Sequence, residues 1–105
     1  MQFNDLIRKA KEVRQVYERY EKDVLGKTWN RENIAEGLVG DVGDLMKLVM
    51  AKEGLRQIDN VDEKLAHELS DCLWSIIMLA ELYDIDLERS FLKTMDEITA
   101  RLNTA

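Results

Sequence analysis

The chain has 105 residues, a length that fits one domain. Its 15 Lys and Arg against 21 Asp and Glu give a formal net charge of −6, which argues against a nucleic-acid-binding protein. A single cysteine excludes an internal disulfide framework and a cysteine-based zinc site, so we expect a cytoplasmic protein. The sequence offers no signal-peptide core and no apolar run long enough for a membrane span.

The absence of proline, the few glycines and the abundance of Leu, Ala, Glu and Lys predict an all-α protein. Apolar periodicity and capping residues predict four helices, roughly over 3–23, 31–53, 61–83 and 87–102. Asn30 is the expected N-cap of the second helix and Gly54 its stop, while Asn60 and Glu63 have the spacing of a capping box. Short connections predict a four-helix up-down bundle, and so small a core favours assembly into a dimer or tetramer.

Two acids of the second helix lie where an ordinary surface helix would not place them. Asp41 and Asp44 are three residues apart and therefore share a face. On a helical wheel Asp41 falls inside the broad apolar arc, between Ile34 and Leu48, and Asp44 lies at its edge. We expect both carboxylates at a partly buried edge of this helix.

The third helix repeats the pattern. Its stretch 72–83 is apolar around almost the whole circumference, which predicts burial on several sides, yet Glu68 and Asp71 share one face. Two facing acidic pairs repel each other unless bases or a cation neutralise them, and Lys64, four residues before Glu68, is a base at helical spacing from these acids. Four carboxylates without a His or Cys cluster suit a hard cation such as Mg²⁺ or Mn²⁺. The alternative is that these acids are solvated or paired with lysines of another helix.

These residues also resemble a known family. The segment NIAEGLVGDVGDLMKL, followed by ELSDCLWSIIMLAELYDIDL, is similar to the MazG-like all-α nucleotide pyrophosphohydrolases, including the small dCTPase- and dUTPase-like members. The family carries an E-x-x-E type motif on one helix and E-x-x-D on the next. Asp41 and Asp44 fall on the first motif, and Glu68 and Asp71 on the second. The resemblance covers roughly residues 29–92.

The resemblance implies an activity and a site. Family members bind Mg²⁺ with the four acids and hydrolyse a nucleoside triphosphate to the monophosphate and pyrophosphate, as homodimers or homotetramers. It implies that Asp41, Asp44, Glu68 and Asp71 are the catalytic and metal-binding residues here. A deoxynucleoside triphosphate is the expected substrate, and no membrane or nucleic-acid partner is expected.

The chain departs from the family pattern at two places. Both first-motif acids are Asp rather than Glu, which shortens each ligand by one methylene and places metal affinity in question. Many members also have a downstream K-x-x-x-N, whereas Lys93 is followed four residues later by Glu97. Lys93 therefore remains a candidate phosphate contact, and Trp29, just before the second helix, a candidate base contact.

The alternative function is a catalytically weak or inactive helical oligomer that binds a nucleotide or a protein. A plain structural bundle is a third possibility, and in that case Mg²⁺ or Mn²⁺ would not raise the melting temperature. Of the other residues, we expect Cys72 to be a buried small hydrophobe and Trp74 to lie in the core or at an interface. The basic stretch from Arg8 to Arg14 is expected to be a solvated face.

Overall fold

The computed structural model describes residues 1–26 and 30–104. Over these residues it contains four α-helices and no strand: α1 Phe3–Tyr20, α2 Arg31–Lys52, α3 Val61–Leu82 and α4 Leu87–Thr104. A π-helical segment, Glu21–Leu25, continues α1 and ends at Gly26, whose φ of 75° favours glycine. The all-α prediction is therefore confirmed.

The predicted capping residue forms a side-chain cap at the start of α2 but not at the start of α3. The Asn33 amide donates to the Asn30 side chain at 2.9 Å and the Asn30 amide donates back to the Asn33 side chain at 3.1 Å, so the predicted N-cap is confirmed. The predicted capping box at Asn60 is wrong. Asn60 has the left-handed φ of 55° and makes no side-chain cap, and its carbonyl instead accepts from the Lys64 amide at 3.1 Å.

Helices α2 and α3 form the main packed pair, and α1 lies against α3. The core where α1 meets α3 contains Ala10, Ile77 and Met78, with Trp74 packed against them. The Trp74 indole N–H donates to the Ala10 carbonyl at 3.1 Å, which fixes α1 on α3 through a partly buried hydrogen bond. Cys72 is buried and free, as expected.

Helix α4 does not complete the expected bundle. None of its residues is buried, and only its first residue, Leu87, packs against the core formed by α1 and α3. The radius of gyration of 16.7 Å also exceeds the value of about 13 Å for a compact domain of this length. The predicted four-helix bundle is therefore wrong for α4: α1, α2 and α3 pack together, and α4 adds only Leu87 to their core.

Candidate active site

The acidic site lies between α2 and α3, which run antiparallel. Residues later on α2 lie beside residues earlier on α3. At the end of the pair nearest the connecting segment, Lys52 of α2 forms an ion pair of 2.6 Å with Asp62 of α3. Asp41 and Asp44 stand one turn apart on α2, opposite Glu68 and Asp71 on α3. The helix spacing read from the sequence thus brings the two motifs face to face.

Three of the four predicted acids form a tight cluster. Single carboxylate oxygens of Asp41, Asp44 and Glu68 all lie within 4.8 Å of one another. Asp41 and Glu68 are half-buried and Asp44 is exposed, so the cluster has one open side. Oxygen atoms at this spacing, taken from carboxylates alone, are a suitable ligand set for a hard divalent cation.

The fourth acid, Asp71, lies beside the cluster rather than in it. Its Oδ2 is 3.1 Å from Nε2 of His67, one turn earlier on α3. The side chain of His67 is 75 % exposed. The charge of Asp71 still reaches the cluster, because it raises the pKa of both Asp41 and Glu68. Asp71 is therefore close enough to act electrostatically on Asp41 and Glu68.

The cluster is electrostatically unfavourable without a cation. Burial is the first cause that raises the pKa of Asp41, followed by the charges of Asp71 and Asp44. The pKa of Glu68 is likewise raised by burial first and then by Asp41, Asp71 and Asp44. Glu68 Oε2 is buried and has no hydrogen-bond partner in the part of the chain that the structure describes. A buried acceptor of this kind fits a bound cation well.

A cavity of about 500 Å³ opens next to the cluster, between α1, α2 and α3. Asp41, which belongs to the cluster, and Asp71, which lies beside it, both form part of the cavity wall. The cavity and the acidic cluster therefore adjoin. Aromatic side chains also line the cavity, with the Tyr17 ring centred 5.3 Å from that of Trp74. A cavity of this size, largely apolar with a few polar groups, is typical of a small-molecule site.

An ion pair inside the cavity was missed by sequence reasoning. Arg14 was expected on a solvated face, but it is buried; its Nε lies 3.2 Å from Glu18 and its Nη1 3.4 Å from the buried Glu21. That expectation is therefore wrong for Arg14. The signal was available, because Arg14 is four residues after Ala10 and seven before Glu21, spacings that put all three on one face.

Of the two predicted substrate contacts, Trp29 lies outside the described residues, and Lys93 is not brought to the cluster. Lys93 is on α4, where its Nζ is 3.9 Å from Glu97, and it lines a shallow groove made by Asp86 and residues of α4. Within one chain, Lys93 therefore belongs to a different surface from the acids.

The fold and this cluster define a class of protein: an all-helical chain with a carboxylate site between two antiparallel helices. Residues 29–105 match the MazG nucleotide pyrophosphohydrolase domain, and the chain belongs to this family. No curated protein and no solved structure matches the chain. The matched region contains both acidic pairs but not α1, which supplies one wall of the cavity. No helix in the described part of the chain is long and apolar enough to cross a membrane.

Proposed function

We propose that the protein hydrolyses a nucleoside triphosphate, of the deoxyribose type, to the monophosphate and pyrophosphate in the presence of Mg²⁺ or Mn²⁺. The observation that carries this proposal is the cluster of Asp41, Asp44 and Glu68 opening beside an aromatic-lined cavity. Membership of the MazG family supports the reaction class. A cytoplasmic location and a role in nucleotide metabolism belong to the same proposal.

The four acids would act together on the cation. Asp41, Asp44 and Glu68 would hold it through oxygen atoms, and Asp71 would complete the set from its place one turn further on. A bound divalent cation supplies Lewis-acid polarisation of the phosphate and lowers the pKa of water. The residues themselves provide a fixed negative site that repels a triphosphate until a cation is bound, so the cation also reverses the local charge.

The cavity would receive the nucleoside. Tyr17 and Trp74 present ring surfaces on which a base can stack, and the Arg14–Glu21 pair offers charged donors and acceptors to its edge. Trp29 remains a proposed base contact on the strength of its position just before α2. The nucleoside end of the substrate would thus lie against α1, with the phosphates over the acids.

Lys93 keeps a proposed role in phosphate contact only through a second copy of the chain. Helix α4 exposes Phe91 and Leu92, each at 57 %, although apolar side chains of this size are usually covered. We therefore include a homodimer or homotetramer in the proposal. Sedimentation of the wild type against Phe91→Glu tests it: the variant should lose mass, and an unchanged mass would exclude α4 from the subunit contact.

A second candidate is a catalytically weak or inactive helical protein that binds a nucleotide or a protein. Two observations favour it: the first-motif acids are Asp, and Asp71 is engaged by His67. The alternatives are separated by a screen for pyrophosphate release across a panel of nucleotides with Mg²⁺. Turnover of one or more substrates, lost in Asp71→Ala, supports the enzyme. If no nucleotide is turned over and Asp71→Ala binds nucleotide as the wild type does, the enzyme proposal fails.

A further inference from the structure

A second groove lies on the opposite side of the carboxylate cluster from the cavity. It is shared by α2, α3 and the segment between them, and three of its side chains are basic: Lys47, Lys64 and His67. It also reaches two acids of the cluster, Asp44 and Glu68. Its remaining lining residues are Leu48, Ile58 and Glu63.

The register of the two helices places both lysines at the same end of the cluster. Lys47 follows Asp44 by three residues on α2, and Lys64 precedes Glu68 by four residues on α3. Since the helices are antiparallel, each lysine lies about 4.5–6 Å beyond its acid, toward the α2–α3 connection. The cavity lies at the other end, beyond Asp41. Cavity, carboxylates and lysines therefore follow one another along the helix pair.

Both ammonium groups are available to an anion. The Lys47 Nζ is 3.9 Å from Asp44 Oδ1, outside hydrogen-bond distance, and its side chain is 57 % exposed. Lys64 is exposed and makes no ion pair with any residue of 1–26 and 30–104. His67 differs from the two lysines, because it already pairs with Asp71.

We propose that Lys47 and Lys64 form the subsite for the pyrophosphate group of the substrate, an inference that rests on the proposed function. The water oxygen bonds to the α-phosphorus, and the bond from that phosphorus to the bridging oxygen breaks. The electron pair stays on the departing pyrophosphate, and the proton lost by water passes to solvent. The two ammonium groups offset the charge gained by the leaving group.

The proposal assigns a direction to the substrate. The nucleoside lies in the cavity beside α1, the α-phosphate over Asp41, Asp44 and Glu68, and the β- and γ-phosphates beside the two lysines. It also gives the chain a phosphate contact on α2 and α3, whereas Lys93 lies apart on α4.

The test is a calorimetric titration of inorganic pyrophosphate with Mg²⁺ into the wild type and a Lys47→Ala/Lys64→Ala double variant. Lys9→Ala is the matched control, because Lys9 is exposed and 3.6 Å from Glu12 with the same i,i+3 spacing as Lys47 and Asp44. We expect the double variant to bind pyrophosphate about tenfold more weakly, about 1.4 kcal/mol. Its affinity for nucleoside monophosphate should be unchanged, and Lys64→Arg should retain most of the pyrophosphate binding.

The outcomes separate this inference from the proposed function. Unchanged pyrophosphate affinity in the double variant overturns the subsite even if the wild type is an active hydrolase. Equal weakening of monophosphate and pyrophosphate also overturns it, as does a wild type that binds no pyrophosphate. In a third outcome, the wild type hydrolyses no nucleotide but binds pyrophosphate, and this binding is weaker in the double variant and unchanged in Lys9→Ala. That result would support the subsite and refute the proposed hydrolysis.

Discussion

Helices α3 and α4 have 22 and 18 residues, and both carry apolar side chains at helical spacing, yet their surroundings differ. Helix α3 lies between α1 and α2 and buries five residues, including Ile77 and Met78. Helix α4 buries none, and Phe91 and Leu92 are each 57 % exposed. Apolar periodicity thus indicates that a helix has a face to cover, while burial within one chain depends on how many neighbours it has. The candidate site lies on the buried pair α2–α3, and the uncovered face on α4.

The largest expected effect is on activity. Glu68→Gln removes a charged oxygen from the cluster while keeping its shape, so we expect pyrophosphate release to fall about a hundredfold or more, about 2.7 kcal/mol in activation free energy. Glu97→Gln on α4 is the matched control, since Glu97 is an exposed acid paired with Lys93 at 3.9 Å. Equal losses of activity in Glu68→Gln and Glu97→Gln would contradict the assignment of the active site to α3 rather than α4.

The next effect is on stability. Ile77→Ala on α3 should lower the free energy of unfolding by about 2–4 kcal/mol, because Ile77 is 3 % exposed and its removal leaves a cavity. Leu92→Ala on α4 should cost less than about 1 kcal/mol in dilute protein. Urea titrations of both variants measure the difference. A cost for Leu92→Ala that grows with protein concentration would show that α4 is covered by a second copy.

Cation binding should stabilise the folded chain. The cluster repels itself, so Mg²⁺ or Mn²⁺ at about one hundred times its dissociation constant should add about 2.7 kcal/mol to the free energy of unfolding. The melting temperature measures this, and Asp44→Asn should reduce the increase. Identical shifts in the wild type and in Asp44→Asn would mean that the cation acts elsewhere.

The smallest effect is a pH dependence. The pKa of Asp41 and that of Glu68 are raised above the ordinary 3.8 and 4.5, so the folded state holds these protons more tightly than the unfolded state. Their contribution to stability is present in acid and is lost as pH rises through the folded-state values. Metal-free protein should therefore have a higher melting temperature just above pH 4.5 than at pH 7. The difference between the two melting temperatures should be smaller in Glu68→Gln. An unchanged difference in that variant would contradict the assignment.

Much of the fold and of the acidic site could be predicted from the sequence because both depend on local spacing. The helix ranges follow from apolar periodicity, and the facing of Asp41 and Asp44 against Glu68 follows from antiparallel packing of consecutive helices. Asn30 capped as expected because its neighbour Asn33 reciprocates. Asn60 did not, because its left-handed backbone directs the side chain away from the third residue of the helix.

The remaining features depend on tertiary packing, which a helical wheel does not contain. Arg14 is buried because α1 turns it toward Glu21; its spacing from Ala10 and Glu21 indicates a shared helix face, but not that tertiary packing covers this face. The sequence likewise does not predict that α4 packs so little against the other helices, since its apolar spacing fits a bundle core and a subunit contact equally well. The engagement of Asp71 by His67 depends on side-chain orientation within α3.

The most direct test of the account is hydrolysis of a triphosphate in ¹⁸O-labelled water, followed by mass analysis of both products. Attack at the α-phosphorus over the α2–α3 cluster predicts one labelled oxygen in the nucleoside monophosphate and unlabelled pyrophosphate, with both products lost in Glu68→Gln. Label in pyrophosphate or inorganic phosphate, or label transfer that persists in Glu68→Gln, would contradict the claim that these acids direct water to the α-phosphorus.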